Sequence, residues 1–149
     1  MTEQRPIPAV MPMSSPGDYY DLTRIRPAVL AVLTRVNELG VTRFAGRAKA
    51  VDDDASFPVE NCRDLADEGF LGLCIPEEYG GMGFSMGEYA MVGAEIAKYC
   101  GATALTFNMH NSSMAWSRFM FDMPNLTAEE KAAFAPLRER QFRRAIAEK

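Results

Sequence analysis

The sequence predicts an all-α protein, and three observations lead to this fold class. Apolar residues recur at helical spacing in several segments, strand-like alternation never persists, and two Ser/Thr-x-x-Glu sequences mark helix starts. The chain has 149 residues, 48% of them hydrophobic and 24% charged, which is an ordinary composition for one folded domain. We therefore expect a bundle of about five to six helices.

The N-terminal part of the chain divides into a leader and a first helix. Residues 1–18 contain four prolines and several small residues, so we expect a flexible leader, with the helical domain covering residues 19–149. From Asp21 onward, helical spacing predicts an amphipathic helix that ends or bends near Gly40 and resumes as far as Asp52. Its apolar stripe consists of Leu22, Ile25, Val29, Leu33 and Val36.

The middle of the chain contains two further helix signals around a tight loop. Pro58 begins a short helix that ends at Gly69. Residues 75–83 combine a proline with three glycines, which predicts a loop. Ser85 and Glu88 have the capping-box spacing, so the next helix should begin at Ser85.

Two more helices are expected in the C-terminal part. Residues 102–121 lack turn signals and are rich in methionine and aromatic residues, which favours a mostly buried helix. Thr127 and Glu130 repeat the capping-box spacing and open a last helix, which Pro136 should kink or divide. The arginine-rich segment 138–144 also contains an acidic residue and has further acidic neighbours, which favours a solvated or interdomain face.

Charge and cysteine usage limit the classes of partner and compartment. A net charge of −4 gives no reason to expect binding to nucleic acid or to an anionic membrane. Cys62, Cys74 and Cys100 are odd in number and lie in apolar surroundings, which favours reduced thiols. Prolines interrupt the N-terminal apolar stretches, so we expect neither a signal peptide nor a membrane span, and we predict a cytoplasmic protein.

Short motifs give little support for catalysis by this chain. Gly83-Phe84-Ser85-Met86-Gly87 matches the Gly-x-Ser-x-Gly pattern of hydrolases, but no strand precedes it and helix capping already explains Ser85. The same glycines lack the rest of a dinucleotide or P-loop fingerprint. With His110 as the single histidine, no histidine-rich metal site is expected, and we predict neither a metal nor a catalytic residue here.

A polar group inside the apolar segment 102–121 leaves two interpretations open. It consists of Asn108, His110, Asn111 and Ser112. The simpler interpretation is that His110 is a structural histidine held by hydrogen bonds. Polar residues among apolar ones also often face a cavity or a ligand, because burying them without a partner costs free energy.

Several motifs resemble the acyl-CoA dehydrogenase family. The most diagnostic run is Asp67-Glu68-Gly69-Phe70-Leu71-Gly72-Leu73-Cys74-Ile75-Pro76-Glu77-Glu78-Tyr79-Gly80-Gly81-Met82-Gly83. Phe57-Pro58-Val59-Glu60 and the stretch from Ser85 to Ala90 add to it, and so does the Asn111-Ser112 pair. The resemblance covers residues 20–149 and implies the N-terminal helical domain of that family's fold.

The resemblance also implies what this chain would and would not supply. Proteins of the family are FAD-dependent oxidoreductases that convert an acyl-CoA thioester to trans-2-enoyl-CoA. The flavin is held largely by a β-rich middle domain and a C-terminal bundle, and the bundle carries the catalytic glutamate. Since this chain matches neither domain, we expect it to be inactive alone and to need them in cis or in trans. No cofactor-binding residue can be named, and a homo-oligomer is implied for the complete protein.

By resemblance, the helix over residues 104–113 contributes part of the acyl-binding wall. Leu105, Met109 and Ser112 share a face at helical spacing, and Thr106 and His110 lie beside it. These five residues are the predicted substrate-binding residues. The alternative function is a non-enzymatic helical module, derived from the same fold, that binds a partner or serves in assembly.

Overall fold

The computed structural model describes residues 24–147 and contains six α-helices and no strand within them. The helices are α1 (Pro27–Leu39), α2 (Ala45–Asp53), α3 (Val59–Asp67), α4 (Met86–Ala97), α5 (Gly101–Phe119) and α6 (Ala128–Ala147). The all-α prediction and the expected number of helices are confirmed. The predicted leader, residues 1–18, and Leu22 of the predicted stripe lie outside the described residues.

The first helix begins later than its apolar stripe suggested. Ile25 lies before the helix, because Pro27 occupies the first helical turn and α1 starts there. The expected irregularity at Gly40 is a π-helical turn, Gly40–Phe44, that joins α1 to α2. Gly40 packs against the ring of Tyr99, and a Cβ at this position would lie 2.1 Å from Tyr99 Cδ2.

The glycine-rich segment after α3 folds back on itself through backbone hydrogen bonds. Two 3₁₀ turns, Phe70–Gly72 and Glu77–Tyr79, form its first part. Gly81 is required by space, since a Cβ there would lie 2.1 Å from the carbonyl oxygen of Ile75. Gly80 has φ of 88°, a left-handed conformation that favours glycine. The predicted tight loop is therefore present, and close packing explains part of its glycine content.

Both capping boxes are present at the expected helix starts. Ser85 Oγ accepts from the Glu88 backbone N–H at 3.3 Å, and Glu88 Oε2 accepts from the Ser85 N–H at 2.8 Å. The Thr127 and Glu130 pair repeats this arrangement at the start of α6. Pro136 lies inside α6, which continues through it, so the helix is not divided there.

The core lies between α1, α4 and α5, with the segment 70–84 and α6 closing one side. Helix α2 buries no residue, whereas Val29, Leu33 and Val36 of α1 are fully buried. Phe107 of α5 and Phe142 of α6 complete the core. No helix among residues 24–147 is both long and apolar enough to cross a membrane.

Candidate functional site on helix α5

Helix α5 is only half buried, which differs from the prediction of a mostly buried helix. Its inner face consists of Thr103, Phe107, Asn111, Met114 and Ala115. On the opposite side, Leu105, Met109 and Trp116 are 62%, 65% and 59% exposed. The chain therefore places large apolar side chains in solvent along one helix face, which is typical of a surface that binds a ligand or another polypeptide.

The outer face of α5 consists of Leu105, Met109, Ser112 and Trp116. Their spacings of four, three and four residues place them in one row along the helix. The structure thus brings together three of the five predicted substrate-binding residues, and Trp116 extends the row by one more turn. Thr106 and His110 are half-buried at the side of this row, next to the protein core.

The hydroxyl groups of the two predicted substrate-binding residues Thr106 and Ser112 are bonded to the helix backbone. Thr106 Oγ1 donates to the carbonyl of Ala102 at 3.0 Å, and Ser112 Oγ donates to the carbonyl of Met109 at 3.2 Å. A hydroxyl that donates in this way keeps its oxygen as an acceptor. Towards a ligand these two side chains can therefore offer acceptors but not donors.

His110 has a defined tautomer because of its partner. Its Nε2 lies 2.9 Å from the carbonyl oxygen of Leu71, and a carbonyl can only accept, so Nε2 carries the hydrogen. In the neutral ring, Nδ1 is then the acceptor. The bond ties α5 to the turn at Phe70–Gly72, which supports the simpler interpretation of a hydrogen-bonded structural histidine.

The remaining polar residues of the group do not share a cavity with His110. Asn111 is fully buried, and its Nδ2 is at 3.5 and 3.4 Å from the carbonyl oxygens of Phe70 and Phe107. Its Oδ1 has no hydrogen-bond partner among the described residues. Asn108 is exposed and accepts a hydrogen bond from Tyr89. The group is thus spread around the helix, and only Ser112 belongs to the outer face.

The glycine-rich loop does not form a phosphate cradle. The backbone N–H groups of Gly81, Met82 and Gly83 donate to carbonyls of Pro76, Gly72 and Ile75, at 3.2, 3.0 and 2.9 Å. These donors are used within the loop and cannot also bind an anion. Ser85 caps α4, which agrees with its predicted capping role.

The described part of the chain offers little for a cysteine nucleophile or a metal site. Burial raises the pKa of the Cys74 thiol to about 11 and also raises the pKa of Cys62, which disfavours the reactive thiolates. All three cysteines are free. Within residues 24–147 no three His, Cys, Asp or Glu side chains are grouped so that they could hold a metal ion.

Two grooves on the surface are too small for a flavin. One lies between the end of α5 and the first half of α6 and has a volume of about 160 Å³. The other, beside Phe57 and Pro58, has about 190 Å³. Cavities of about 150 Å³ hold a benzene-sized molecule, whereas the isoalloxazine group has three fused rings. Neither of these two grooves therefore fits the cofactor that the sequence resemblance implies, whereas two larger hollows along α6 have volumes of about 530 and 600 Å³.

Comparison with protein families shows which family this chain is related to. The sequence pattern of the family described as acyl-CoA dehydrogenase, N-terminal domain, matches residues 28–121, which is more than half of the chain. The chain belongs to the acyl-CoA dehydrogenase family. The match includes nearly all of α1 and α2 to α5 completely, and so it contains the outer face of α5.

Curated proteins similar to this chain carry several different names. Cyclohex-1-ene-1-carbonyl-CoA dehydrogenase of Syntrophus aciditrophicus is 45% identical over 75 residues, which are 50% of this chain and 18% of the relative. 3-Sulfinopropanoyl-CoA desulfinase of Variovorax paradoxus is 38% identical over 54% of this chain and 20% of its own length. Benzylmalonyl-CoA dehydrogenase of Aromatoleum aromaticum is 29% identical over 75% of this chain and 28% of its own length. No solved structure matches the chain.

The matched part of the chain spans about a fifth of the length of the first two of these relatives. Family membership thus applies to a helical N-terminal domain. Sequence reasoning missed two features of this domain, the exposure of Trp116 and the groove between α5 and α6. The helical spacing of Trp116 from Met109 was the signal for its exposure. The groove depends on tertiary packing, which has no signal in the local sequence.

Proposed function

We propose that this chain is the N-terminal portion of an FAD-dependent acyl-CoA dehydrogenase that oxidises an acyl-CoA thioester to trans-2-enoyl-CoA. Its contribution is part of the acyl-binding wall. The observation that carries the proposal is the exposed outer face of α5 in a domain of this family. Two of the relatives described above are named as dehydrogenases of a CoA compound, whereas the other is named as a desulfinase of one.

The five predicted substrate-binding residues have distinct roles in this proposal. Leu105 and Met109 provide apolar surface for the acyl chain. Thr106 and Ser112 offer hydroxyl oxygens as acceptors at the edge of that surface. His110 is a positioning residue, because its hydrogen bond to the Leu71 carbonyl sets the distance between α5 and the neighbouring turn.

In this proposal, catalysis requires groups that the described residues do not provide. The catalytic base and the flavin site belong to further domains, in cis or in trans, and the complete protein is a homo-oligomer. The chain alone is inactive. A cytoplasmic location is part of the same proposal and is supported by the three free cysteines.

A second candidate is a non-enzymatic helical module that binds a partner or serves in assembly. The exposure of Leu105, Met109 and Trp116 favours it as well, because apolar surface also suits a protein partner. The two candidates differ in what the outer face contacts. An acyl chain predicts dependence on acyl length, whereas a protein partner does not.

The first experiment is the visible absorption spectrum of the purified chain, alone and mixed with FAD. Bound flavin absorbs where no amino acid does. We expect a colourless protein whose addition leaves the FAD spectrum unchanged, because the proposal assigns the flavin site to further domains. A yellow protein would contradict the proposed dependence on other domains.

A chimera separates the enzyme from the assembly module. The chain replaces the matching N-terminal segment of the cyclohex-1-ene-1-carbonyl-CoA dehydrogenase, and acyl-CoA thioesters of increasing length are tested for reduction of the bound flavin. Met109→Trp fills part of the acyl surface and should shift the preference towards shorter thioesters. Val41→Trp, on an exposed residue outside α5, is the control and should leave it unchanged. Identical length profiles for both variants and the parent would refute the acyl role.

A further inference from the structure

The groove between α5 and α6 combines an apolar lining with one cation. Its apolar lining consists of Met120, Phe121, Leu126, Phe134 and Leu137, and Arg138 lines it as well. Phe134 and Leu137 are 48% and 53% exposed, so the groove opens to solvent through apolar side chains. An apolar recess with a single charged group is typical of a small-molecule site.

Arg138 has an unusual environment for an arginine. Its Cζ lies 3.8 Å from the centroid of the Phe121 ring, and its Nε is buried without a hydrogen-bond acceptor among the described residues. None of the ion pairs found in this part of the chain includes Arg138. The buried Nε costs free energy because it lacks an acceptor. Since Arg138 also lines the groove, its guanidinium can donate to an anion bound there.

We propose that this groove binds a small carboxylate with an apolar body of about the size of a benzene ring. The guanidinium of Arg138 donates to the carboxylate, while the side chains of Phe134 and Leu137 cover the apolar body. The planar fork of an arginine matches a carboxylate in two parallel hydrogen bonds. A phosphate would leave more of its oxygens facing apolar walls, so the carboxylate is the better match.

This site is separate from the acyl surface proposed above. The outer face of α5 ends at Trp116, whereas the groove is lined by Ser117 and by residues that follow it in the chain. Gln141 Oε1 accepts from Ser117 Oγ at 2.6 Å, and both residues line the groove. The two proposals therefore fail independently, since neither needs the other's residues.

Ligand-observed fluorine NMR on the full chain tests the proposal, with 4-fluorobenzoate as the probe and 4-fluorobenzyl alcohol as its neutral counterpart. We expect line broadening of 4-fluorobenzoate at millimolar concentration and binding at least about tenfold weaker in Arg138→Gln, because a charge-assisted bond is lost. The alcohol should bind more weakly than the acid and should be unaffected by the substitution.

Two further variants keep the test decisive. Arg140→Gln removes an exposed arginine of the same helix that does not line this groove and should leave the affinity within about twofold of the parent. Leu126→Trp fills the groove and should abolish binding while circular dichroism shows an unchanged helical content. The proposal is overturned if 4-fluorobenzoate does not bind, if the alcohol binds equally well, or if either Arg138→Gln or Leu126→Trp binds the acid like the parent.

Discussion

Gly40 illustrates how one residue is fixed by its distant neighbour. Its backbone has ordinary right-handed helical angles, so any residue satisfies the local conformation. The ring of Tyr99 occupies the space of its missing side chain, and Tyr99 OH accepts from Asn37 Nδ2 at 2.5 Å. The sequence predicted an interruption at Gly40, but the reason for the glycine is a tertiary contact.

Gly40→Ala should therefore destabilise the protein. We expect the free energy of unfolding to fall by about 1–3 kcal/mol, as in other overpacked cores. Gly46→Ala is the matched control, because a Cβ at that helical position meets nothing within 4 Å. It should raise stability by about 0.5–1 kcal/mol. Urea unfolding of the three proteins measures both changes, and equal stability of Gly40→Ala and the parent would show that the Tyr99 ring can move away.

Glu88 makes the start of α4 sensitive to acid. The Arg26 guanidinium, together with the N–H and hydroxyl of Ser85, lowers the pKa of Glu88 from 4.5 to about 2. A carboxyl whose pKa is lower in the folded state stabilises that state above its unfolded pKa. This contribution is lost as the pH falls from 4.5 towards 2.

Glu88→Gln should reveal this pH dependence. At neutral pH we expect a loss of about 1–2 kcal/mol in the free energy of unfolding, since a charge-assisted bond and part of a cap are removed. The difference from the parent should shrink below pH 4.5, which urea unfolding at several pH values measures. Glu139→Gln breaks an exposed pair with Arg143 and should cost only about 0.3–0.5 kcal/mol. A pH-independent difference for Glu88→Gln would contradict the assignment.

At the scale of elements, α6 has two unequal halves. Residues 128–137 are exposed except for Lys131 and Ala135, which are half-buried. In the second half, Phe142 is fully buried and its ring centroid lies 5.3 Å from that of Tyr79. The capping box predicted where α6 begins, but helical spacing did not show that only one end of it packs on the core.

Hydrogen exchange should distinguish these halves of α6. Because few apolar contacts hold residues 131–137, their amides should exchange at least about tenfold faster than those of residues 139–146. Exchange followed by mass spectrometry on overlapping peptides measures the difference. Equal protection along α6 would mean that its first half is covered in solution.

For the molecule as a whole, exposed apolar surface should control its solution behaviour. Leu105, Met109 and Trp116 lie in one row on α5, and Phe134 and Leu137 add to the exposed apolar area near α6. Contiguous exposed apolar patches promote association. We expect the sedimentation coefficient of the isolated chain to rise with concentration.

Charges on the outer face of α5 should reverse this self-association. The double variant Leu105→Glu, Met109→Glu should remain folded, since both positions are solvent-exposed, and should sediment as a monomer to higher concentration. Val41→Glu places a charge on a different exposed apolar residue and should have little effect. A parent chain that stays monomeric at every concentration would contradict the prediction.

The sequence by itself determined the fold class, most helix starts and the family. These features are local: Ser85 with Glu88 caps a helix whatever surrounds it, and the glycine-rich motif carries the resemblance in one continuous run. Helical spacing likewise placed Leu105, Met109 and Ser112 on one face, although their binding of an acyl chain stays a prediction.

Tertiary structure alone decided which face of α5 is covered. The periodicity of α5 is compatible with burial on either side, and only packing against α4 and the turn at Phe70–Gly72 left Leu105 and Met109 in solvent. Contacts between residues distant in sequence were also decided by tertiary structure. Gly40 packs against Tyr99, His110 bonds to Leu71, and Arg138 lies over Phe121. Contacts between distant segments depend on the relative placement of whole helices, which local patterns do not specify.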